Sequence, residues 1–212
     1  MARPAGASQA GTTLLELVLV LTIFGVLTAI ALTLILQTYT SVQTQLGSST
    51  LYDNGVTALT QMTREIRMAG YPSKKFFSSA TVAASPGLVA TPFVSVTSHK
   101  LVFQADLYGT GAVEQIEYHI PWRTQNLERS ITAVNPNGSL AGSTLTTLLV
   151  GNVQNELEGQ PLFTWDVDPT IDQPFPLNVR TVYINLVLQS PGNQSTPPLA
   201  MTLMATCPRT NF

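Results

Sequence analysis

The sequence predicts an α+β protein. A long N-terminal helix, transmembrane in its first half and amphipathic in its second, is expected to pack on a C-terminal antiparallel β-sheet domain. Three observations carry that expectation. Between Arg3 and Asp53 the only charged side chain is Glu16, and the run Leu17–Leu36 is almost wholly apolar. An apolar pattern at three- and four-residue spacing follows and stops at Gly70-Tyr71-Pro72. Beyond that point, short strand-like runs alternate with turn signals.

The composition narrows the class further. A chain of 212 residues holds one globular domain plus a long appended element. Only 10% of its residues are charged, against roughly 25% in an ordinary soluble domain. A net charge of −2 and a positive mean hydropathy argue against a nucleic-acid binder, which normally shows a basic excess or stripe. The single cysteine, Cys207, rules out an internal disulfide framework. The core must therefore hold the fold, and no cofactor is expected.

In helical form Leu17–Leu36 spans about 30 Å, the thickness of a bilayer's hydrocarbon layer. Thr22, Gly25, Thr28 and Thr33 are its only interruptions. The run exceeds the roughly 7–15 apolar residues of a secretory signal peptide, and no convincing small-x-small cleavage site closes it before a folded domain begins. Glu16 stands at its start. A carboxylate near a helix N-terminus gains roughly 0.3–1 kcal/mol from the helix dipole, yet it costs a few kcal/mol if carried toward the bilayer centre.

The string Gly11-Thr12-Thr13-Leu14-Leu15-Glu16, leading into Leu17-Val18-Leu19-Val20-Leu21, resembles the prepilin signal of type IV pilins and type II secretion pseudopilins. The resemblance implies a leader of residues 1–11, cut after Gly11 by a prepilin peptidase. Thr12 would then be the new and N-methylated terminus, and Glu16 the family's assembly glutamate. Two departures are visible: Thr12 replaces the usual phenylalanine or methionine, and Arg3 is the leader's only basic residue. Cleavage would leave a positive α-amino group at Thr12 that Glu16 of a neighbouring subunit can neutralise. In a low-dielectric surround that pairing is strong and sets the docking offset of adjacent helices.

The resemblance divides the chain into a leader (1–11), a transmembrane and filament-core helix (12–37), an amphipathic continuation (38–71) and a β-rich pilin domain (72–212). In the continuation Tyr52, Val56, Leu59, Met62, Ile66 and Ala69 form the expected core stripe, with Asp53, Thr57, Thr60, Gln61, Arg64 and Arg67 on other faces. Gly47 and Gly55 are soft points, each costing up to about 1 kcal/mol relative to alanine. The segment Leu59–Tyr71 resembles the end of the long helix in PilW-like minor pilins, and more loosely that of J-type pseudopilins.

After Pro72 the stretch from Ser78 to Ser98 reads as loop. Strands are expected at Lys100–Ala105, Val113–Pro121, Leu127–Ala133, Leu145–Val150, Leu162–Val167, Val179–Gln189 and Leu199–Thr206. They are taken to form one sheet, with Val182, Ile184, Leu186 and Leu188 facing the core. No zinc spacing, nucleophile elbow or phosphate loop is present, so no catalytic residue is assigned. Asp166, Asp168 and Asp172 are weak calcium candidates, because calcium favours oxygen-rich loops.

The implied function is that of a minor pilin, assembled through its N-terminal helix in initiation or at the tip of a type IV pilus. Its implied partners are the prepilin peptidase, other major and minor pilin subunits, the inner-membrane assembly machinery and membrane lipid. The alternatives are a J-type pseudopilin of a type II secretion system and a periplasmic binding domain held by a signal anchor.

Overall fold

A computed structural model of the protein describes residues 9–189 and 199–206. Arg3 and Cys207 lie outside the described residues. The chain divides into two compact units, Met1–Leu46 and Gly47–Phe212. One helix, α1 (Gln9–Ile66), contributes to both.

In the first unit α1 is apolar on every side from Leu17 to Leu36, interrupted only by threonines and Gly25, and the residues of this stretch are exposed. A helix without a polar face suits an apolar surround such as lipid. Among the described residues this is one helix long and apolar enough to cross a membrane. Its threonines are satisfied locally. The hydroxyl of Thr22 donates to the Val18 carbonyl (2.5 Å), and those of Thr28, Thr33 and Thr38 donate to Phe24, Ala29 and Leu34 (2.8 Å each).

In the second unit the remainder of α1 buries Leu51, Gly55, Ala58, Leu59, Met62, Glu65 and Ile66. The expected stripe is thus right from Leu59 onward and wrong before it, since Tyr52 and Val56 are exposed. Leu51 and Gly55 stand one position earlier, a rotation of about 100° on the helix. The cause is close packing. A Cβ added to Gly55 would collide with the Met201 side-chain tip and lie 2.8 Å from Leu188 Cδ1. Glycine here is a space requirement, and so the helix stays regular through it.

The helix ends at Ile66, and its last turn tightens. Met68 and Ala69 donate their amides three residues back, to Glu65 and Ile66. Gly70 then adopts a positive φ of 79° and donates its amide to the Gln104 carbonyl at 2.8 Å. That conformation, open to glycine at little steric cost, turns the chain onto the sheet.

The stretch read as loop after Pro72 contains a short helix, α2 (Ser79–Ala84), and a two-residue strand, β1 (Ser95–Val96). The Ser78 hydroxyl caps α2 by accepting from the Thr81 amide at 3.1 Å. The following strands are β2 (Lys100–Ala105), β3 (Glu114–His119), β4 (Leu127–Val134), β5 (Leu140–Val150), β6 (Phe163–Val167), β7 (Val179–Leu188) and β8 (Leu199–Thr206). Each expected strand forms. β5 begins at Leu140 rather than Leu145: Thr144 faces Thr132, and after a register shift Leu140 faces Val134, so the pairing with β4 extends five residues earlier.

The expectation of one sheet is corrected to two. An antiparallel five-stranded meander runs in the order β1-β2-β3-β4-β5, and a three-stranded one in the order β6-β7-β8. The segment between β5 and β6 turns away instead of continuing the first sheet. Val153 bridges to Leu188, and Gln154 donates its amide to the Val187 carbonyl. Asn155, fully buried, donates to the Asn185 carbonyl (2.7 Å) and accepts from the Val187 amide (3.0 Å).

A single core joins the two sheets and the helix. It contains Leu59, Met62 and Ile66 of α1, Phe103, Ile116, Tyr118 and Leu127 of the larger sheet, and Val182, Ile184, Leu186 and Leu188 of the smaller one. Alternation along β7 places Arg180 in the same inward set as Val182, Ile184, Leu186 and Leu188. The four apolar residues are buried but Arg180 is exposed, and Val179, Thr181 and Val187 of the opposite set are buried as well.

Substituting Gly55→Leu should cost about 1–3 kcal/mol through overpacking. Gly55→Ala should also destabilise, but by less, because its Cβ must displace both the Met201 tip and the buried Leu188 Cδ1, and a helix-propensity gain of up to about 1 kcal/mol offsets only part of that. Thermal unfolding of the full chain in detergent, followed by circular dichroism, checks both.

Candidate functional site

Gly11 and Thr12 fall in the opening turns of α1, whose backbone is helical from Gln9. Glu16 follows on the same helix and is exposed. The stretch from Gly11 through Leu36 is thus one helical rod with a single carboxylate near its start. A buried carboxylate needs a donor or a cation as partner, and an exposed one near a helix end is available to a neighbour.

The densest polar arrangement lies in the second unit, and sequence reasoning did not find it. Glu65, on the buried side of α1 and 8% exposed, receives four contacts. The Tyr118 hydroxyl (2.5 Å) and Arg129 Nε (2.9 Å) donate to Oε2. Arg129 Nη2 lies 2.8 Å from Oε1, which also accepts from Gln61 Nε2 at 3.1 Å. This is a bidentate guanidinium–carboxylate pair between helix and sheet, with β3 supplying the tyrosine and β4 the arginine. In sequence the partners stand 64 positions apart, which hides them. One signal was available: Glu65 sits three residues after Met62 and four before Ala69, on the inward face.

The electrostatics agree with that geometry. Burial opposes the charge on Arg129, but its hydrogen bond and charge contact with Glu65 outweigh this and raise its pKa above the usual value. Burial, then the Glu65 carboxylate, pushes the Tyr118 phenol upward, so it remains a donor. Glu114, at the start of β3, has its pKa raised by burial and by Asp106 and Glu65, with Arg129 pulling the other way. Its Oε2 is buried without a hydrogen-bond partner.

Beside the pair opens a groove of about 570 Å³, bordered by Val56, Arg64, Met68, Leu107 and Tyr108. Arg64 and Arg67 are both exposed. Glu65 already accepts from a full set of donors, so the cluster is suited to holding a helix on a sheet.

The acidic loops are built for turns. Asp106 accepts from the Thr110 and Gly111 amides at 3.1 and 2.7 Å. Asp168 accepts from the amide and hydroxyl of Thr170, and Asp166 from the Tyr183 hydroxyl. Asp166, Asp168 and Asp172 are not gathered into a ligand set, for no group of three or more His, Cys, Asp or Glu placed to hold a metal ion occurs among the described residues. Comparison with protein-family models, with curated proteins and with solved structures found no match to this chain.

Two expectations follow. Arg129→Met should destabilise by about 3 kcal/mol, because it leaves the Glu65 charge buried and alone. The double variant Glu65→Gln/Arg129→Met should recover part of that loss, as read from denaturant midpoints in a double-mutant cycle. Glu114→Gln should act through pH. A carboxyl whose folded pKa is raised stabilises the fold below its unfolded pKa, and that stability is lost as pH rises through the folded value. The glutamine variant should therefore unfold at a higher temperature than the parent at neutral pH, with the gap closing below the ordinary carboxylate range.

Proposed function

We propose that the protein is a pilin-type structural subunit, held in a bacterial inner membrane by the first half of α1 with its β-rich unit in the periplasm. On this reading a prepilin peptidase cuts it after Gly11. It then joins a type IV filament as a minor component, in initiation or at the tip.

One observation carries the reading: Gly11, Glu16 and the charge-free apolar run lie on one unbroken helix, α1. A helix used only as a tether has no need of a carboxylate at the edge of its lipid-facing stretch. A helix that must dock at one offset against identical neighbours does. An α-amino group at Thr12 and the Glu16 carboxylate neutralise one another between subunits, and mismatched registers leave both charges unpaired. The α+β domain behind the helix, with its single long helix on antiparallel sheet, suits the pilin fold. The resemblance at Leu59–Tyr71 favours a minor subunit, and a J-type pseudopilin would share the same chemistry.

N-terminal mass spectrometry of the protein from membranes, with and without the peptidase, tests this directly. The expected product is a chain beginning at Thr12, appearing only with the peptidase. Glu16→Ala should still be cleaved and folded but should be lost from sheared filaments. An intact start at Met1 or Ala2, or cleavage beyond Leu36, would overturn the proposal.

A further inference from the structure

Among the described residues, the outer edge of the five-stranded sheet is long and has no strand paired to it. β5 runs for 11 residues, Leu140–Val150, at the end of the strand order. Every residue from Ser143 to Leu148 is exposed, Leu145 at 66%. An edge strand carries unpaired backbone N–H and C=O groups and is a template for another strand. Edges that must stay single usually carry lysine, proline or short length. β5 has no charged residue and no proline, whereas the opposite edge, β1, is two residues long. Register shifts against β4 occur on either side of a regular stretch in which Thr144–Leu148 face Thr132–Glu128. That stretch is long enough to pair.

We propose that β5 is an assembly edge, on which a second copy of this chain adds its own β5, antiparallel, about a two-fold axis through Leu145. The side chains choose this occupant. In that register Leu145 faces Leu145 of the second copy, and Thr144 faces Thr146 in both directions. Cross-strand threonine pairs are favourable, and the same pairing already exists inside the sheet. The hydroxyls of Thr146 and Ser130, and of Thr144 and Thr132, are each 2.9 Å apart. A hydroxyl has one donor and two acceptor sites, so these rows extend across the new edge without displacing a partner. Sliding the axis to Thr146 sets Leu145 against Thr147 and Thr144 against Leu148, and loses both matches. With no charge on either strand, two copies meet without repulsion. An isologous contact of this kind consumes the edge and closes on itself.

The inference rests on the β-rich unit and not on the fate of the N-terminus, so each can fail alone. The test is cysteine crosslinking of the full chain in membranes, in a Cys207→Ser background. Leu145→Cys should form a covalent homodimer on oxidation, confirmed by mass. Leu148→Cys, whose two copies would lie about 20 Å apart at six residues' offset, should not, and neither should the exposed Tyr108→Cys. Adding Thr146→Lys to Leu145→Cys should abolish the dimer while leaving the circular dichroism spectrum unchanged. The proposal is overturned if Leu145→Cys crosslinks no more than Tyr108→Cys. It is equally overturned if Leu148→Cys crosslinks as well, or if the Leu145→Cys product contains a different protein.

Discussion

The pairing of Glu65 with Arg129 constrains how the helix meets the larger sheet. An apolar stripe alone lets a helix slide or rotate over a sheet, because packing of similar side chains tolerates many offsets. A bidentate pair with an added tyrosine donor does not, since a shift of one residue would strand two buried charges. The pair lies near the end of α1, while Gly55 meets the smaller sheet through Met201 and Leu188. The second half of the helix is therefore fixed at two heights by two different devices, one electrostatic and one steric. Such pairs often add little net stability, and what this one supplies is a unique register.

Much of the architecture was legible because the signals were local. Charge-free sequence, three- and four-residue spacing and alternation in β7 each report on one element at a time, and those elements form. What escaped depended on distance. Tyr52 and Val56 fit the apolar spacing, yet a glycine admits Met201 so closely that the helix turns Leu51 and Gly55 inward instead. No local pattern carries that contact. The division into two sheets was hidden for the same reason. It depends on Asn155, a polar residue in a loop, reaching the backbone of β7 more than two dozen positions away.

The candidate site divides along the same line. Gly11, Thr12 and Glu16 were visible as a contiguous motif, and the proposed chemistry needs only their order on one helix. The cluster around Glu65 was invisible because its members come from three elements. For the aspartates near β6, closeness in sequence suggested a ligand set, but no such group is gathered among the described residues. Asp168 instead accepts from the amide and hydroxyl of Thr170, and Asp166 from the Tyr183 hydroxyl.

The threonines of the first unit have a consequence for how that helix tolerates its surroundings. Each hydroxyl of Thr22, Thr28, Thr33 and Thr38 is already spent on a carbonyl of the preceding turn. Moving the segment from one oily environment to another therefore breaks no hydrogen bond and asks for no replacement. Its polar atoms are mute, and only shape and van der Waals contact distinguish lipid tails from protein side chains. A rod made this way is solvent-indifferent among apolar hosts, and Glu16 alone records which host it occupies.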